Sequence, residues 1–567
     1  MPVMRRLLDW YQRRATGLWL ALAVLLGSLQ AVYFRYSMNP DGIAYLDMGD
    51  AYFRGDWATA LRTHWSPLYA WVVAAALHFV HPAPNLEFPL VHLVNLIIYC
   101  AALGTFTFLL RQIVAILRDS DAASPAHIGP PEWAWVAMGY AAFIWCTLQY
   151  IPLSLLTPDL LVSALVYAIC GVMLLSRRQP RHRRSALLGG LLGLGYLAKA
   201  PMLPLAVVFL TASAVVLDRR GSRVSHLVIA SLAMALVALP FIVALSVANG
   251  RPTAGDSARL NYLWVVDGVP LVHWQGGPNG IGQPLHHSLP LLERPAIFAF
   301  DSPFPVTYAA WYAPEYWFEG ATPIVTLDRQ ARATLAALQA YSVLAADFGG
   351  VFAALAILLS MHFGPWRIGS DPAIALLAPA VAAIGMYALV LAEARYVAPF
   401  VVLLVLGLLL LVRLPRARWS AALSANVSVV IVILFLVQTL TNTSALAGST
   451  LSQVVHGQIL AADEQVQVAL ALRSAGIEPG DRVASGDRGF NAYWARLARV
   501  HIVAEVSERD SSIVQGDLEA RAVAQRVLLA QNVRAVIARA WPAQMEDPGW
   551  RPIDGTEYFY HLVADRA

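Results

Sequence analysis

Lysine, cysteine and charge are all scarce in this chain of 567 residues. Its 40 basic residues include a single lysine, and only 13% of all residues are charged. The three cysteines, Cys100, Cys146 and Cys170, lie in apolar segments, which excludes a disulfide framework. Neither a Walker sequence nor a G-x-G-x-x-G sequence is present, so no nucleotide-binding loop is expected. The net charge of +4 gives no indication of nucleic acid as a partner.

Apolar residues, by contrast, make up 58% of the chain, and its mean hydropathy is +0.57. Crossing a bilayer takes about 20 consecutive apolar residues, and such stretches recur along the sequence. We therefore predict a polytopic α-helical membrane protein with about 11 transmembrane helices. The first apolar segment lacks a small-residue cleavage site, which favours a retained signal anchor. The predicted spans are residues 15–34, 88–110, 133–150, 155–176, 186–198, 201–217, 225–247, 338–361, 372–391, 396–412 and 420–440.

Arginine sets the predicted orientation. Residues 5–14 carry arginines before the first span, so the N-terminus is expected in the cytoplasm, and later arginine clusters alternate correctly with the spans. Residues 66–80 are short for a span, and crossing there would place the arginines of residues 177–184 outside. We expect a helix in the outer leaflet at 66–80, with a twelfth span as the alternative. Alanine and arginine usage is typical of a bacterial genome, so the expected location is the bacterial inner membrane, with a periplasmic C-terminus.

Three regions are then periplasmic: the loops 35–87 and 249–335 and the tail 441–567. We predict a transmembrane catalytic module over residues 1–440, which includes both loops, and a soluble α/β domain over 441–567. The domain is expected to be structural or to face the acceptor. The tail alternates helical and strand-like patterns, which is typical of a small α/β domain. The helical patterns are residues 461–475 and 518–531, and the strand-like patterns are residues 499–506 and 533–539.

The loop 249–335 is rich in proline, glycine, tryptophan and tyrosine. Its length indicates an ordered and functional segment. An interfacial aromatic belt is the alternative, although a belt needs no histidines or carboxylates.

Carboxylates on the outer face are the first candidates for chemistry. Asp41, Asp47 and Asp50 follow the first span, where a carboxylate could act as a general base or hold a divalent metal. The alternative is that Asp41 caps a helix and that Asp47 and Asp50 form its solvated face. Asp159, in the sequence Thr-Pro-Asp, is also expected outside, and capping of the next helix is its alternative role.

Two cations lie at the same predicted depth. Lys199, in the sequence GYLAKAP, is the only lysine, and its compact ammonium suits a phosphate at headgroup level. Arg395 suits fork-like recognition of phosphate, with Tyr396 as a hydrogen-bond donor. The alternatives are chance for Lys199 and an interfacial snorkelling arginine for Arg395. Cations beside carboxylates indicate transfer of the headgroup of a lipid phosphate, because a leaving phosphate needs positive charge and an acceptor needs a base.

The order of these motifs resembles the GT-C glycosyltransferases, in particular bacterial relatives of the protein O-mannosyltransferase and aminoarabinose transferase family. The resemblance covers about residues 1–440 and includes the sequences SPLY, TPDLL, GYLAKAP and ARY. It implies that Asp41 is the catalytic aspartate, that Asp159 is the second acidic residue, and that Lys199 and Arg395 hold the lipid phosphate. His64 begins a sequence, HWSPLY, that resembles the HPPLY-type motif of the family.

Gly42 follows Asp41 where many members carry a paired acid, so Asp41 is expected to act as a lone base. We expect no required cofactor. A divalent metal is the alternative, but it is not favoured because the second acid is missing at Gly42.

The expected function is that of an inverting glycosyltransferase, which moves a hexosyl or pentosyl group from a polyprenyl-phosphate donor to a glycan, lipid or protein acceptor. A transporter or flippase of lipid-linked saccharides is one alternative, but the charges collect at one face rather than at mid-membrane. A non-catalytic assembly scaffold is another, and it would leave the sole lysine unexplained. The remaining residues predicted to bind substrate are His64, Asp50, His273, Trp274, Tyr308 and Glu315.

Overall fold

The protein folds as two compact units, seen in a computed structural model. The helical unit contains Met1–Phe34, His92–Ala244 and Thr326–His456, and the sheet unit contains Arg35–Val91, Leu245–Val325 and Gly457–Ala567. The structure describes residues 2–123, 127–217, 222–269, 288–293, 296–300, 304–313, 322–361, 372–456, 463–486, 489–506, 518–539 and 549–563.

Helices make up most of the described chain. In the first half they are α1 Pro2–Tyr33, α2 Pro40–Phe53, α3 Trp57–Ala60, α4 Pro67–Val80, α5 Pro84–Ala123, α6 Glu132–Tyr150, α7 Asp159–Arg178, α8 His182–Ala198, α9 Met202–Val216, α10 Arg223–Ala248 and α11 Ser257–Val265. In the second half they are α12 Ala309–Tyr312, α13 Leu327–Asp347, α14 Gly349–Ser360, α15 Ile374–Ala388, α16 Ala394–Leu411, α17 Arg418–Val455, α18 Glu464–Ser474, α19 Trp494–Ala498 and α20 Leu518–Ala530.

Each of the eleven predicted spans overlaps a helix, which confirms a polytopic helical membrane protein. By length and composition, six of the described helices could cross a membrane, or seven if the bent pair α13 and α14 is one span. These two helices meet at 78°, so the predicted span 338–361 contains a sharp break. Three shorter apolar helices, α4, α9 and α15, complete the apolar set among the described residues. The count of eleven spans, and the position of 66–80 in the outer leaflet, stay predictions.

The interior of the helical unit is aromatic, whereas one of its helices exposes apolar residues. Phe106 packs against Phe143 and Tyr167, with ring centroids 5.0 and 5.2 Å apart. Helix α10 exposes Leu232 and Leu236, by 65% and 78% of their surfaces. Exposed leucines along a long apolar helix are expected where the surroundings are lipid rather than water.

Two short strands of the helical unit, β1 His127–Ile128 and β4 Leu414–Pro415, pair antiparallel. The sheet unit is built on a seven-stranded mixed sheet. Its strands are β2 Ser288–Glu293, β3 Ala296–Phe300, β5 Arg482–Ser485, β6 His501–Val506, β7 Val533–Arg539, β8 Trp550–Pro552 and β9 Tyr558–Leu562. Strands β5 to β7 lie at its centre in the order β6-β5-β7 and pair in parallel, and all other neighbours pair antiparallel. Helix α20 packs Ala524 and Leu528 into the same apolar cluster as Val503 and Val536. This confirms the small α/β region that the tail predicts.

Two strands of this sheet come from outside the tail. Strands β2 and β3 belong to the aromatic loop 249–335, and β3 pairs with β6. Helix α17 also continues through residue 440, where the sequence places a domain boundary. The domain boundary at residue 440 stays a prediction. The loop 249–335 contributes two strands to the sheet of the tail.

Two adjacent glycines of α8 provide a test of the helix packing. A Cβ at Gly189 would lie 2.0 Å from the backbone oxygen of Ala230 on α10, whereas a Cβ at Gly190 would meet nothing within 4 Å. Gly189→Ala is therefore expected to destabilise the protein by about 1–3 kcal/mol through overpacking. Gly190→Ala should be neutral or stabilising by up to about 1 kcal/mol, because alanine favours the helix. Thermal unfolding of both variants in detergent measures the difference, and equal melting temperatures would contradict this packing.

Candidate functional site

Asp159 and Lys199 form a buried ion pair in the helical unit. Asp159 is the first residue of α7, and Lys199 lies directly after α8 in an extended conformation. The Lys199 Nζ lies 2.5 Å from the Asp159 Oδ1, and the Asp159 side chain is only 3% exposed. The hydroxyl of Thr157 donates to the other carboxylate oxygen at 2.8 Å. The chain therefore uses Asp159 to orient its single lysine.

Arg395 and Tyr396, at the start of α16, complete this cluster. The Arg395 Nη1 lies 3.9 Å from the Asp159 Oδ2, and its Nε donates to Glu393 at 2.6 Å. The Lys199 Nζ lies 3.5 Å from the centroid of the Tyr396 ring, and the Arg395 guanidinium lies 5.0 Å from the same ring. Cation–π contact of this kind is favourable at these distances.

The cluster bears on the capping alternative for Asp159. The N-cap of α7 is Pro158 without a side-chain hydrogen bond, so the Asp159 carboxylate binds cations rather than capping the helix. Burial lowers the pKa of Lys199, while the charge of Asp159 acts in the opposite direction. Lys199 is therefore a paired, partly desolvated cation. Two cations against two carboxylates, Asp159 and Glu393, leave the cluster without net charge.

Asp41 lies in the sheet unit, in the first turn of α2. The helix begins with Pro40 at its first position, and its N-cap is Asn39, so Asp41 is not the capping residue. A carboxylate in a first turn is favoured by the helix dipole. Burial, together with the charge of Asp41, raises the pKa of Tyr493 to about 12. The Tyr493 ring stacks on Trp311, with centroids 6.0 Å apart. The charge of the predicted base therefore acts on an aromatic side chain of the same unit.

Asp47 and Asp50, on the same helix, bind Arg496 of α19. The Arg496 Nη1 lies 2.9 Å from the Asp47 Oδ1 and 2.7 Å from the Asp50 Oδ2. Its Nε donates to Glu87 at 2.8 Å, and Arg499 contacts both Glu87 and Asp50. Two arginines and three carboxylates form this network. Its centre is buried, because the Arg496 side chain is only 4% exposed.

The network overturns the solvated-face alternative for Asp47, which is buried and accepts both the backbone N–H and the hydroxyl of Thr307. Burial raises the pKa of Asp50, but Arg496 and Arg499 outweigh it and hold that pKa below its usual range. The three carboxylates together raise the pKa of Arg496 against the effect of burial. Asp50 is thus committed to an internal ion pair, and its predicted contact with substrate stays a prediction.

Two further residues predicted to bind substrate, His64 and Tyr308, lie outside these two charged clusters. His64 is buried against Trp65, with ring centroids 4.1 Å apart, and burial lowers its pKa to about 3, so it is neutral. Tyr308 is completely buried, and its hydroxyl donates to Glu505. His273, Trp274 and Glu315 lie outside the described residues. Both His64 and Tyr308 are buried, at 7% and 0% exposure, and their binding roles stay predictions.

Sequence reasoning missed Glu87, Arg496 and Arg499. Two local signals were available: Glu87 is the only acidic residue between Asp56 and Asp119, and the two arginines stand three residues apart, on one face of a helical turn. Neither signal identifies a partner, because Arg496 and Glu87 are 409 positions apart.

The buried network provides a test with a pH dependence. Arg496→Met leaves buried carboxylates without their central cation and should lower the free energy of unfolding by about 3–5 kcal/mol. Without the cation their folded-state pKa values rise above the unfolded values, so the folded variant binds protons more readily. Its stability is therefore expected to increase as the pH falls from 8 to 5, relative to wild type. Thermal unfolding in detergent across this range measures both effects.

Arg473→Met, an exposed arginine in the same unit, is the matched control and should change neither quantity. Equal stability of the Arg496 and Arg473 variants at pH 8 would show that the network contributes nothing.

No protein-family model and no curated protein sequence matches the chain. Its structure is similar to that of ArnT from Cupriavidus metallidurans, both in the apo state and bound to undecaprenyl phosphate. The TM-score is 0.53, at 13% sequence identity over 97% of this chain and 98% of that chain. The oligosaccharyltransferase of Archaeoglobus fulgidus gives a TM-score of 0.48, at 13% identity over 92% of this chain and 68% of that chain. The chain has the GT-C glycosyltransferase fold, as the order of its motifs predicts.

Proposed function

We propose that this protein is an inverting glycosyltransferase that moves a sugar from a polyprenyl-phosphate donor to a hydroxyl of a cell-envelope acceptor. The observation that carries the proposal is the cluster around Asp159. The only lysine of the chain and Arg395 both contact the Tyr396 ring and both lie near the Asp159 carboxylate. A protein of the same fold, ArnT, is described bound to undecaprenyl phosphate, which supports a lipid phosphate as ligand. The distribution of arginine supports a site on the periplasmic face.

The chemistry assigned to these residues is a single displacement. Asp41 accepts the proton of the acceptor hydroxyl, whose oxygen attacks the anomeric carbon of the sugar. The bond between that carbon and the phosphate oxygen breaks, the electron pair leaves with the polyprenyl phosphate, and the configuration inverts. Lys199 and Arg395 stabilise the charge that develops on the departing phosphate. Asp41 is the only base in this step, and no metal takes part in it.

The geometry of the cluster supports a lipid phosphate rather than a neutral headgroup. Lys199 offers a compact ammonium, which Asp159 and Thr157 hold in place through the carboxylate. Arg395 offers a planar fork that can bind two oxygens of one phosphate. Because the cluster has no net charge, a phosphate would bind by sharing or replacing the carboxylate partners of these cations. Glu393 is the more exposed of the two carboxylates, at 38%, and is the one a phosphate would displace.

Asp41→Asn tests the base. The amide keeps the size of the side chain but cannot accept a proton, and loss of general-base catalysis typically costs about 10²–10⁴-fold in rate. Mass spectrometry of envelope glycans, in a deletion strain complemented with each variant, should show loss of the modification. Asp554→Asn, which changes an exposed aspartate of the same unit, is the control and should restore it fully. Normal modification by Asp41→Asn protein would remove Asp41 from the base role.

Lys199→Ala and Arg395→Ala test the phosphate assignment. Each lost charge-assisted hydrogen bond is worth roughly 1.5–3 kcal/mol, so each variant should bind a short-chain polyprenyl phosphate about 10- to 100-fold more weakly. Arg395→Lys should recover only part of the affinity, because an ammonium lacks the guanidinium fork. Glu393→Gln should bind at least as tightly as wild type, since it removes an anion that competes for Arg395.

The measurement is a titration of each purified variant in detergent. Arg332→Ala serves as the control, because Arg332 is 74% exposed and pairs with Asp328 in its own helix. Wild-type affinity in both the Lys199 and the Arg395 alanine variants would show that the cluster is structural.

A further inference from the structure

Helix α13, Leu327–Asp347, packs on the rest of the helical unit along one narrow stripe. Its buried residues are Ala333 and Ala337, and Tyr341, four residues further, donates its hydroxyl to the backbone oxygen of Ile384 at 2.9 Å. Residues four apart lie on one face of an α-helix, so these three residues form a single protein-facing stripe. The other sides of the helix are exposed.

One exposed side of α13 is a leucine face. Leu327 and Leu338 are eleven residues apart, which is about three turns of an α-helix, and Leu335 lies one turn before Leu338. These leucines are exposed by 87%, 54% and 59% of their surfaces. Three large apolar side chains on one face of a helix, turned away from the protein, indicate a partner that is not water.

The remaining side of α13 is polar. Arg332 and Gln339 are exposed and lie about two turns apart on this side, and Asp328 pairs with Arg332 at 3.2 Å. Val343, one turn beyond Gln339, is an exposed apolar residue that departs from the pattern. The helix therefore has three sides, of which one packs on protein, one is apolar and one is polar. A helix with exposed apolar and polar faces is suited to the boundary between lipid and water.

The two ends of α13 contact the same end of the helical unit. Near the beginning of the helix, the Gln330 Nε2 donates to the backbone oxygen of Leu389, directly after α15, at 2.6 Å. At its end, the Asp347 carboxylate accepts from the hydroxyl of Tyr150, the last residue of α6, at 2.8 Å. The helices that follow α6 and α15 are α7 and α16, and both carry residues of the Asp159 cluster in their first turns. Both ends of α13 therefore lie at the end of the unit that holds this cluster.

These contacts place α13 along the end of the unit rather than through it. Seventeen positions separate Gln330 from Asp347, which is about 26 Å along the helix axis. A helix that crossed a bilayer over this length would contact opposite ends of its neighbours. The bend of 78° between α13 and α14 fits the same direction, because it turns the chain away from the axis of the apolar helix α14. Charged residues in the first two turns of α13 would also be costly inside the hydrocarbon.

We propose that α13 lies in the membrane surface at the Asp159 end of the helical unit, with its leucine face in contact with lipid and its polar face in water. The partner of the leucine face is the bilayer, because the face continues into α14, which is apolar and exposes Ile357. Amphipathic helices of this kind bury their apolar face about 5–10 Å into the boundary between headgroups and acyl chains. Residues 338–347 of the predicted span 338–361 then run along the membrane instead of crossing it.

This placement goes beyond the transferase assignment and does not depend on it. Because α13 is hydrogen-bonded to the last turn of α15 and to Leu389, its contact with lipid would hold the nearby Asp159 cluster at headgroup depth. That is the depth at which a lipid phosphate lies.

Spin labels on the full-length protein test the proposal. The background is Cys100→Ser, because Cys100 is exposed whereas the other two cysteines are buried. Ala331→Cys and Leu338→Cys place labels on the leucine face, since Ala331 lies one turn after Leu327. Arg332→Cys and Ala336→Cys place labels on the polar face, at nearly the same positions along the helix axis, and all four native residues are exposed. Each nitroxide-labelled protein is reconstituted in vesicles of phosphatidylcholine and phosphatidylglycerol.

Power-saturation EPR then measures collision of each label with oxygen, which concentrates in lipid, and with a neutral nickel chelate, which stays in water. The ratio of oxygen to nickel accessibility should be several-fold higher at positions 331 and 338 than at 332 and 336. Leu236→Cys, at a residue of α10 that is 78% exposed, provides the reference for lipid. Arg473→Cys, at an exposed arginine of the sheet unit, provides the reference for water.

Three outcomes would overturn the proposal. Ratios at all four positions as high as at position 236 would mean that α13 crosses the bilayer. Ratios at all four as low as at position 473 would mean that the helix lies in water, and a reversed order would mean that the polar face meets the lipid. If Asp41→Asn is fully active, the transferase assignment fails while the accessibility pattern still decides this one.

Discussion

The guanidinium of Arg496 is almost completely buried, and the arrangement of the sheet unit depends on the carboxylates that compensate its charge. It contacts Asp47, Asp50 and Glu87, which come from two segments far from it in the sequence. The effective cost of burying one ion is several kcal/mol, and only close partners of opposite charge can offset it. Helix α2, the first turn of α5 and helix α19 must therefore meet in one arrangement. Arg499 adopts a left-handed conformation with φ of 60°, which costs about 1–2 kcal/mol and is held in place by its contacts with Glu87 and Asp50.

The same requirement explains why the only lysine of the chain lies at position 199. The Nζ atom lies within 2.5 Å of a carboxylate oxygen and 3.5 Å from an aromatic centroid, between Asp159 and Tyr396. An ammonium is a compact point charge that can serve both partners at once, whereas a planar guanidinium is wider and has fixed donor directions. Arg395, by contrast, donates from its planar fork to Glu393. Size and shape, rather than charge alone, distinguish the two cations.

Local patterns predicted the helices and several strands of the tail well. The strand Val533–Arg539 lies where its β-branched pattern places it, and each predicted span overlaps a helix, because helical and strand periods are visible within a few residues. The pairing of Asp159 with Lys199 was also accessible, since topology places both at one end of neighbouring helices. Strands β2 and β3 were not predicted, because they are short and lie in a loop rich in proline and glycine. The Arg496 network was missed for a different reason: no local period relates residues 409 positions apart.

The cations of the Asp159 cluster are paired with carboxylates before any ligand binds, and this affects how a ligand would bind. Around Asp159 each cation already has a carboxylate partner, so a bound phosphate gains less than it would from two unpaired cations. Within the proposed mechanism, weak binding of the ground state is an advantage, since only interactions that strengthen in the transition state increase the rate. As negative charge develops on the leaving phosphate, its contacts with Lys199 and Arg395 strengthen relative to their contacts with Asp159 and Glu393. When the lipid phosphate leaves, the carboxylates restore the neutral cluster, so product release does not leave two buried cations unpaired.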